Sequence, residues 1–451
     1  MRVMRWLPRF RRAYASLGEL AERESWSREQ TERWQLNELN KLWLQAIRNV
    51  DYYRDLHAQN GLADQFEDLD QFRETVPVLA KSYVRENSQA LLSRDKRLGA
   101  WHVTSGSTGS PTRTYRSHAA HQAMLRTRYR FYHSWGVDFA DRWVWIWGDA
   151  DSLKPGWRGR KARLHTLVTD KLRNRIRLSP YDLRPETLRG YLDQIAAFQP
   201  SMIYSHSMSM HLLAIEAERA GFHCPSLKAI VLTTEPVRPA TVDTVERAFN
   251  VPALAEYGSV ECGFLAGTAE DRTLRVREDN ALLETVARPD GHYDIVVTVL
   301  GNPCFPLIRY ALGDRTSRPI EHPADGFSYL HDVVGRDFDL VVTGTGSILH
   351  GQIFEDILDK YKGIRRWRVV QDKQGEVQVF IEPEHVDPIN PHTLDEIGAR
   401  LRPLLEGYGL STEVVEQLPR TASGKHRTLT SELGASTLQK MTEPSGAVMM
   451  V

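Results

Sequence analysis

Cysteine is scarce in this chain: Cys224, Cys262 and Cys304 are the three among 451 residues, and no two stand in a C-x-x-C pair. That excludes a disulfide framework and a paired-cysteine zinc site, and it suits a reducing compartment. An excess of either charge is also missing, since 58 Lys+Arg balance 58 Asp+Glu. Bulk electrostatic attraction to nucleic acid goes with it. No run of 18 apolar residues occurs, so no segment reads as a membrane span. The opening Met1-Arg2-Val3-Met4-Arg5-Trp6-Leu7-Pro8 is basic, but it lacks the apolar segment and cleavage site of a secretory signal. A cytoplasmic protein is the expectation. What remains is ordinary globular composition, 41% hydrophobic and 26% charged, on a chain long enough for a large domain and a smaller one.

Periodicity organises the chain. Leu17, Leu20, Trp26, Trp34, Leu36, Leu39, Leu42 and Trp43 recur at near-helical spacing, so residues 17–60 read as helices. Helical stretches at 118–134, 186–198, 208–220 and 240–249 then alternate with strands at 143–147, 201–204 and 229–232. Such alternation predicts an α/β domain whose mixed sheets are covered by helices. Strands at 282–286 and 293–300 follow, around the turn Pro289-Asp290-Gly291. After a boundary near Gly335, strands at 339–343, 366–371 and 376–381 with helices at 352–361 and 393–406 predict a small, mobile α+β domain over 340–433. The tail from 434 is weakly patterned and reads as disordered.

Six segments carry chemistry. Thr104-Ser105-Gly106-Ser107-Thr108-Gly109-Ser110-Pro111-Thr112 has six hydroxyl residues and two glycines, the makings of a backbone and side-chain cradle for phosphate. It lacks the lysine of the common nucleotide loop, and by itself it also fits a Ser/Gly linker. Thr233-Thr234-Glu235-Pro236 closes a strand, where open sheets bind ligands, although it equally fits a plain turn. In Glu256-Tyr257-Gly258-Ser259-Val260-Glu261 the tyrosine offers a flat face for a purine and Glu261 a hard oxygen for Mg²⁺, or the two are simply a buried ring and a surface acid. In Arg309-Tyr310-Ala311-Leu312-Gly313-Asp314-Arg315 the Asp314 carboxylate suits paired ribose hydroxyls, or merely caps a Gly-Asp turn. Val334-Gly335-Arg336-Asp337-Phe338-Asp339 places an arginine at the domain junction, or is merely a charged linker. Leu418-Pro419-Arg420-Thr421-Ala422-Ser423-Gly424-Lys425-His426-Arg427 presents one lysine on a glycine-containing loop, fit to neutralise a transient anion, although by itself it reads as readily as a basic surface turn.

In this order and spacing the segments resemble the adenylate-forming (acyl-activating) superfamily, and within it the phenylacetate–CoA ligase family with its capsular-polysaccharide-associated branch. Val50-Asp51-Tyr52-Tyr53-Arg54 and Val76-Pro77-Val78-Leu79-Ala80-Lys81 resemble that family's entry region, with Asp51 where its first proline is expected. The likeness runs to about residue 430. It implies an ATP- and Mg²⁺-dependent ligase that forms acyl-AMP and passes the acyl group to coenzyme A, or to a carrier-protein thiol or an amine. By the same likeness Thr104, Ser105, Gly106, Ser107, Thr108 and Gly109 hold phosphates, and Thr234, Glu235 and Pro236 border adenine. Tyr257 and Gly258 cover it, Glu261 takes Mg²⁺, Asp314 and Arg336 meet the ribose, and Lys425 bridges carboxylate and phosphate. A hinge at 335–339 rotates the small domain. Relatives often form homodimers.

Departures from the family's pattern are local. Phe338 stands where the hinge acid is expected, and Phe264–Arg277 has neither Cys nor His, so no zinc is expected. Trp143–Gly148 replaces a glycine-rich segment, making Trp145, Trp147, Ser205 and His206 candidates for an acyl pocket or for plain core. Lys154 to Arg177 holds nine Lys/Arg against one acid, Asp170. That run suits the coenzyme A phosphate, an acidic carrier, an anionic glycan or membrane surface, or simply solvent.

Overall fold

A computed structural model of the chain describes residues 14–15, 17–103, 112–138, 140–148, 156–180, 182–235, 237–289, 291–333, 340–350, 352–358, 360–361, 363–383, 389–416, 418 and 429–434. The fold is mixed α/β. It divides into two compact units, each discontinuous in sequence. The first comprises 1–104, 112–141 and 254–335; the second comprises 105–111, 142–253 and 336–451.

In the first unit, helix Arg28–Asn49 starts at a capping box in which the Ser27 hydroxyl accepts from Gln30 N while Gln30 returns the bond to Ser27 N. Its Leu39, Leu42, Trp43 and Ala46 lie on one face and are buried. They join a core that includes Tyr53, Phe72, Leu283, Val297 and Phe305. Tyr53 clips that core together, its hydroxyl donating to Pro306 O at 3.0 Å and accepting from Ile308 N at 3.1 Å. The sheets here are antiparallel. Ala281–Ala287, Tyr293–Val299 and Tyr310–Thr316 form one, and Ala253–Ser259, Gly263–Thr268, Leu274–Val276 and Tyr329–Leu330 run side by side in that order.

In the second unit, strands Arg175–Leu178, Trp143–Ile146, Met202–His206 and Ala229–Thr233 pair in parallel in that order. Helices Pro185–Phe198, Ser207–Ala220 and Pro239–Phe249 connect or follow them, matching the alternation expected from sequence. Pro185 and Pro239 open their helices, where a missing N–H costs nothing. Gly221 closes the middle one in the left-handed conformation. Val144, Ile146, Leu178, Ile203, Ile230 and Leu232 lie on one face of this sheet and pack in one core with these helices. Residues 340–433 contribute a second mixed sheet, Leu410–Val414, Val377–Pro383, Ile364–Gln371 and Leu429–Ser431, backed by helix Pro391–Leu405.

Candidate active site

The antiparallel unit gathers four of the expected residues. The Tyr257 hydroxyl donates to Asp314 Oδ2 at 3.2 Å, joining segments 57 positions apart. Desolvation, reinforced by the Asp314 charge, pushes the Tyr257 hydroxyl well above its ordinary value, so it keeps its proton and remains the donor. Asp314 sits not in a turn but in strand Tyr310–Thr316, beside an irregularity in the ladder between Asp294 and Val296 of the neighbouring strand. Gly313, at φ +95°, supplies the backbone angle that re-aims the chain there. Gly258 likewise answers to a close approach: a Cβ there would lie 2.2 Å from the Gly263 carbonyl oxygen across the strand pair.

Glu261 is buried, and its Oε1 is met by Lys81 Nζ at 3.1 Å and by the Tyr310 hydroxyl at 3.4 Å. Lys81 also donates to Leu312 O at 3.1 Å. The 76–81 segment is laid against the strand that carries Asp314, through Leu79 N to Arg309 O at 2.8 Å and Ala311 N to Leu79 O at 2.9 Å. Arg309 anchors it: its guanidinium donates to the carbonyls of Arg73 and Val76 and pairs with buried Glu284 at 3.0 Å. The Arg116 guanidinium donates to Val260 O at 2.6 Å and Glu261 O at 3.3 Å, which fixes the turn before Cys262. Burial raises the Cys262 thiol far above the thiolate range, with the Glu261 charge adding to it, so the residue is a packing group and not a nucleophile. Glu256, the first acid of its motif, is likewise buried and structural, accepting from the Tyr132 hydroxyl and pairing with Arg128 at 2.9 Å.

Among the described residues no cluster of three or more His, Cys, Asp or Glu side chains could hold a metal by itself. Glu261 offers a single carboxylate, which fits a Mg²⁺ that takes most of its ligands from water and phosphate. It does not fit a cage built wholly of protein.

The parallel unit by itself holds a row of aromatic side chains. The Trp145 and Tyr204 rings lie 5.2 Å apart, Trp147 and Tyr204 5.5 Å, and Trp147 and His206 4.7 Å. His206 Nδ1 shares a 2.9 Å hydrogen bond with Thr234 Oγ1. Thr234 holds φ +71°, a left-handed angle that a β-branched residue rarely adopts and that marks strain at the strand's end. Glu235 turns back to accept from Met208 N at 2.7 Å, which caps helix Ser207–Ala220. Ser205 does not join the row. The ladder sets it beside Ile146 and Leu232, on the opposite face from Tyr204, because neighbouring residues of a strand alternate. Its hydroxyl instead donates to His206 O at 2.9 Å.

Thr104 to Gly109, Pro236, Arg336 and Lys425 lie outside the described residues, as do the whole of the proposed hinge at 335–339 and nearly all of the tail. Sequence reasoning assigned no role to Arg116, Tyr310 or Arg309, and quoted Lys81 only for its place in a segment. A buried acid needs a cation or donors beside it, but a sequence does not say which ones arrive.

Acid should loosen the first unit through His121, which stacks on His102 at 6.3 Å and whose Nδ1 has no hydrogen-bond partner among the described residues. Burial, with the nearby Arg116 charge, lowers its pKa from 6.5 to about 4. The unfolded chain therefore takes up this proton first, and the stability present above pH 6.5 is lost as pH falls toward 4. Melting temperatures across that window should fall less steeply in His121→Gln; parallel curves would refute the assignment.

No family model matches the chain, and no curated protein does either. Solved structures do match. A 2-hydroxyisobutyryl-CoA ligase in complex with its acyl-AMP and CoA in the thioesterification state superposes with a TM-score of 0.60 at 19% identity, over 94% of both chains. The same ligase in a postadenylation complex gives 0.56 at 18% over 94% of both. Its open conformation gives 0.56 at 19%, over 90% of this chain and 93% of that one. The chain shares their fold.

Proposed function

We propose that this protein activates a carboxylic acid with ATP and transfers the acyl group to coenzyme A. The observation that carries the reading is the convergence, in one unit, of Tyr257 on Asp314 and of Lys81 and Tyr310 on Glu261. A ring, an acceptor for paired hydroxyls and a buried carboxylate are what adenine, ribose and a metal-bound phosphate each require. The likeness in fold to a ligase solved with acyl-AMP and CoA supports the same reading.

In the first half-reaction a carboxylate oxygen attacks the α-phosphorus of ATP, the bond to the bridging oxygen breaks, and pyrophosphate leaves. In the second a thiol attacks the acyl carbon and AMP leaves. Little covalent work falls to the protein, so catalysis is positioning plus charge neutralisation. Ser105, Gly106, Ser107, Thr108 and Gly109, with Thr104, would cradle the outer phosphates. Asp314, oriented by Tyr257, would accept the ribose hydroxyls, with Arg336 beside it. Thr234, Glu235 and Pro236 would border the base. Lys425 would bridge the two reacting anions. Mg²⁺, held by Glu261, would offset phosphate charge. The Lys81 ammonium already lies on that carboxylate and would stay close to the same anions. Trp145, Trp147 and His206 are the acyl-site candidates, which favours a flat acid.

Pyrophosphate release from ATP, measured over aryl, fatty and hydroxy acids with and without coenzyme A, tests this. Release that requires one acid and accelerates with coenzyme A is the expected result. Release indifferent to coenzyme A would transfer the second step to an amine or a carrier protein. ATP binding without release under any acid would favour a nucleotide-binding scaffold.

A further inference from the structure

Helix Gly156–Leu172 reverses the usual pattern of a surface helix. Trp157, Leu164, Leu167, Val168 and Leu172 are 77%, 62%, 66%, 50% and 71% exposed. These five are nearly half of the large apolar side chains left exposed among the described residues. The helix's one acid, Asp170, is instead buried, where it pairs with Arg175 and Arg177. At 3.6 residues per turn, positions 157, 164, 168 and 172 fall along one side. Lys161 and Lys171 interleave with them, Arg160 and His165 border them, and Arg173 follows the helix; all five are exposed.

We propose that this helix is a lipid-binding face that lays the protein on an anionic bilayer. The charge of the face selects the occupant. Among the described residues the outward side carries apolar groups with lysine, arginine and histidine and no carboxylate, because the helix's single acid is spent inward. A second copy is a poor match, since a two-fold contact would set Arg160, Lys161 and Lys171 against their own counterparts. An acidic protein would answer the charge but would need a groove deep enough for Trp157. A bilayer interface takes all of it at once: the indole at headgroup depth, Leu and Val below, and lysines reaching back to phosphate. The helix is about 25 Å long and lies flat in this arrangement. No helix among the described residues is long and apolar enough to cross a membrane.

Sedimentation of the full-length protein with vesicles tests the proposal, using phosphatidylcholine alone and phosphatidylcholine mixed with phosphatidylglycerol. Binding is expected with the mixture only, and it should weaken as salt rises. Lys161→Glu with Lys171→Glu should lower partitioning by at least about 25-fold, at roughly fivefold per charge. Leu164→Gln with Leu167→Gln should also lower it, with an unchanged circular dichroism spectrum. Failure to bind the mixed vesicles overturns the proposal, as does binding that ignores lipid charge and survives the lysine reversals. So does dimerisation abolished by the leucine changes, or capture of an acidic carrier protein without vesicle binding. Should a variant fail to fold, the lipid and salt dependence of the unaltered protein decides the matter.

Discussion

Lys425→Ala is expected to slow pyrophosphate release by about 10²–10³-fold, the scale on which one charge contact in a transition state is lost. The carboxylate and the α-phosphate are both anionic, and bringing them into bonding distance concentrates negative charge between them. On the proposed reading Lys425 would stand there for that step and not for the next. Thioester formation from supplied acyl-AMP should therefore remain largely intact in the variant. Two assays on one preparation separate the cases: ATP-dependent pyrophosphate release, and coenzyme A-dependent consumption of synthetic acyl-AMP. Equal loss in both would remove Lys425 from a role confined to adenylation. No loss in either would remove it from the chemistry.

Arg309→Ala should produce the largest loss of stability. Its guanidinium pairs with buried Glu284 and holds the Arg73 and Val76 carbonyls, while its own backbone sits at φ +48°. Burial already pushes the Glu284 carboxyl above its ordinary value, and Arg309 opposes that shift. Removing the cation leaves a buried charge unanswered, at a cost of about 3–5 kcal/mol. Lysine is a weak substitute, since a point charge cannot serve two carbonyls and a carboxylate as a planar fork does. The loss should carry into function, because the 73–81 segment that Arg309 secures is the one that delivers Lys81 to Glu261. Denaturant unfolding measures the first effect and pyrophosphate release the second. Arg309→Met combined with Glu284→Leu should recover stability but leave activity low. An Arg309→Ala protein within about 1 kcal/mol of wild type would refute the argument.

Much of the parallel unit was legible in the sequence, because Val144, Ile203 and Ile230 stand in short β-rich runs between amphipathic helices, and that pattern has a single good reading. The antiparallel unit was harder. Gly313-Asp314 reads as a turn, yet it lies in strand Tyr310–Thr316, and the strand Ala253–Ser259 that carries Tyr257 is not among the strands expected from periodicity; Gly313 marks an irregular ladder and Gly258 a close backbone contact. Strand Arg175–Leu178 hid within a basic run because its arginines lie over Trp145 and on Asp170, a use of charge that composition cannot announce. For the candidate site, sequence named the ring and the carboxylates. It could not name Lys81 as the cation on Glu261, because that contact joins residues on either side of the 142–253 insertion and depends on how strand Tyr310–Thr316 receives the 76–81 segment.

The interrupted course of the first unit sets a timetable for synthesis. Helix Arg28–Asn49 and Tyr53 emerge early, but Leu283, Val297, Phe305 and the Pro306 carbonyl that complete their packing are translated only after the whole 142–253 insertion. At about 5–20 residues per second the ribosome imposes a delay on the order of 10 s. During it Trp43, Leu39 and Phe72 have only the N-terminal part of their core, such as Tyr53, Phe66 and Leu91, to pack against, while the inserted parallel strands and helices can already collapse on one another. The nascent N-terminal helices are thus the segment most in need of a chaperone, and slowed translation beyond residue 253 would lengthen their exposure without altering a single native contact.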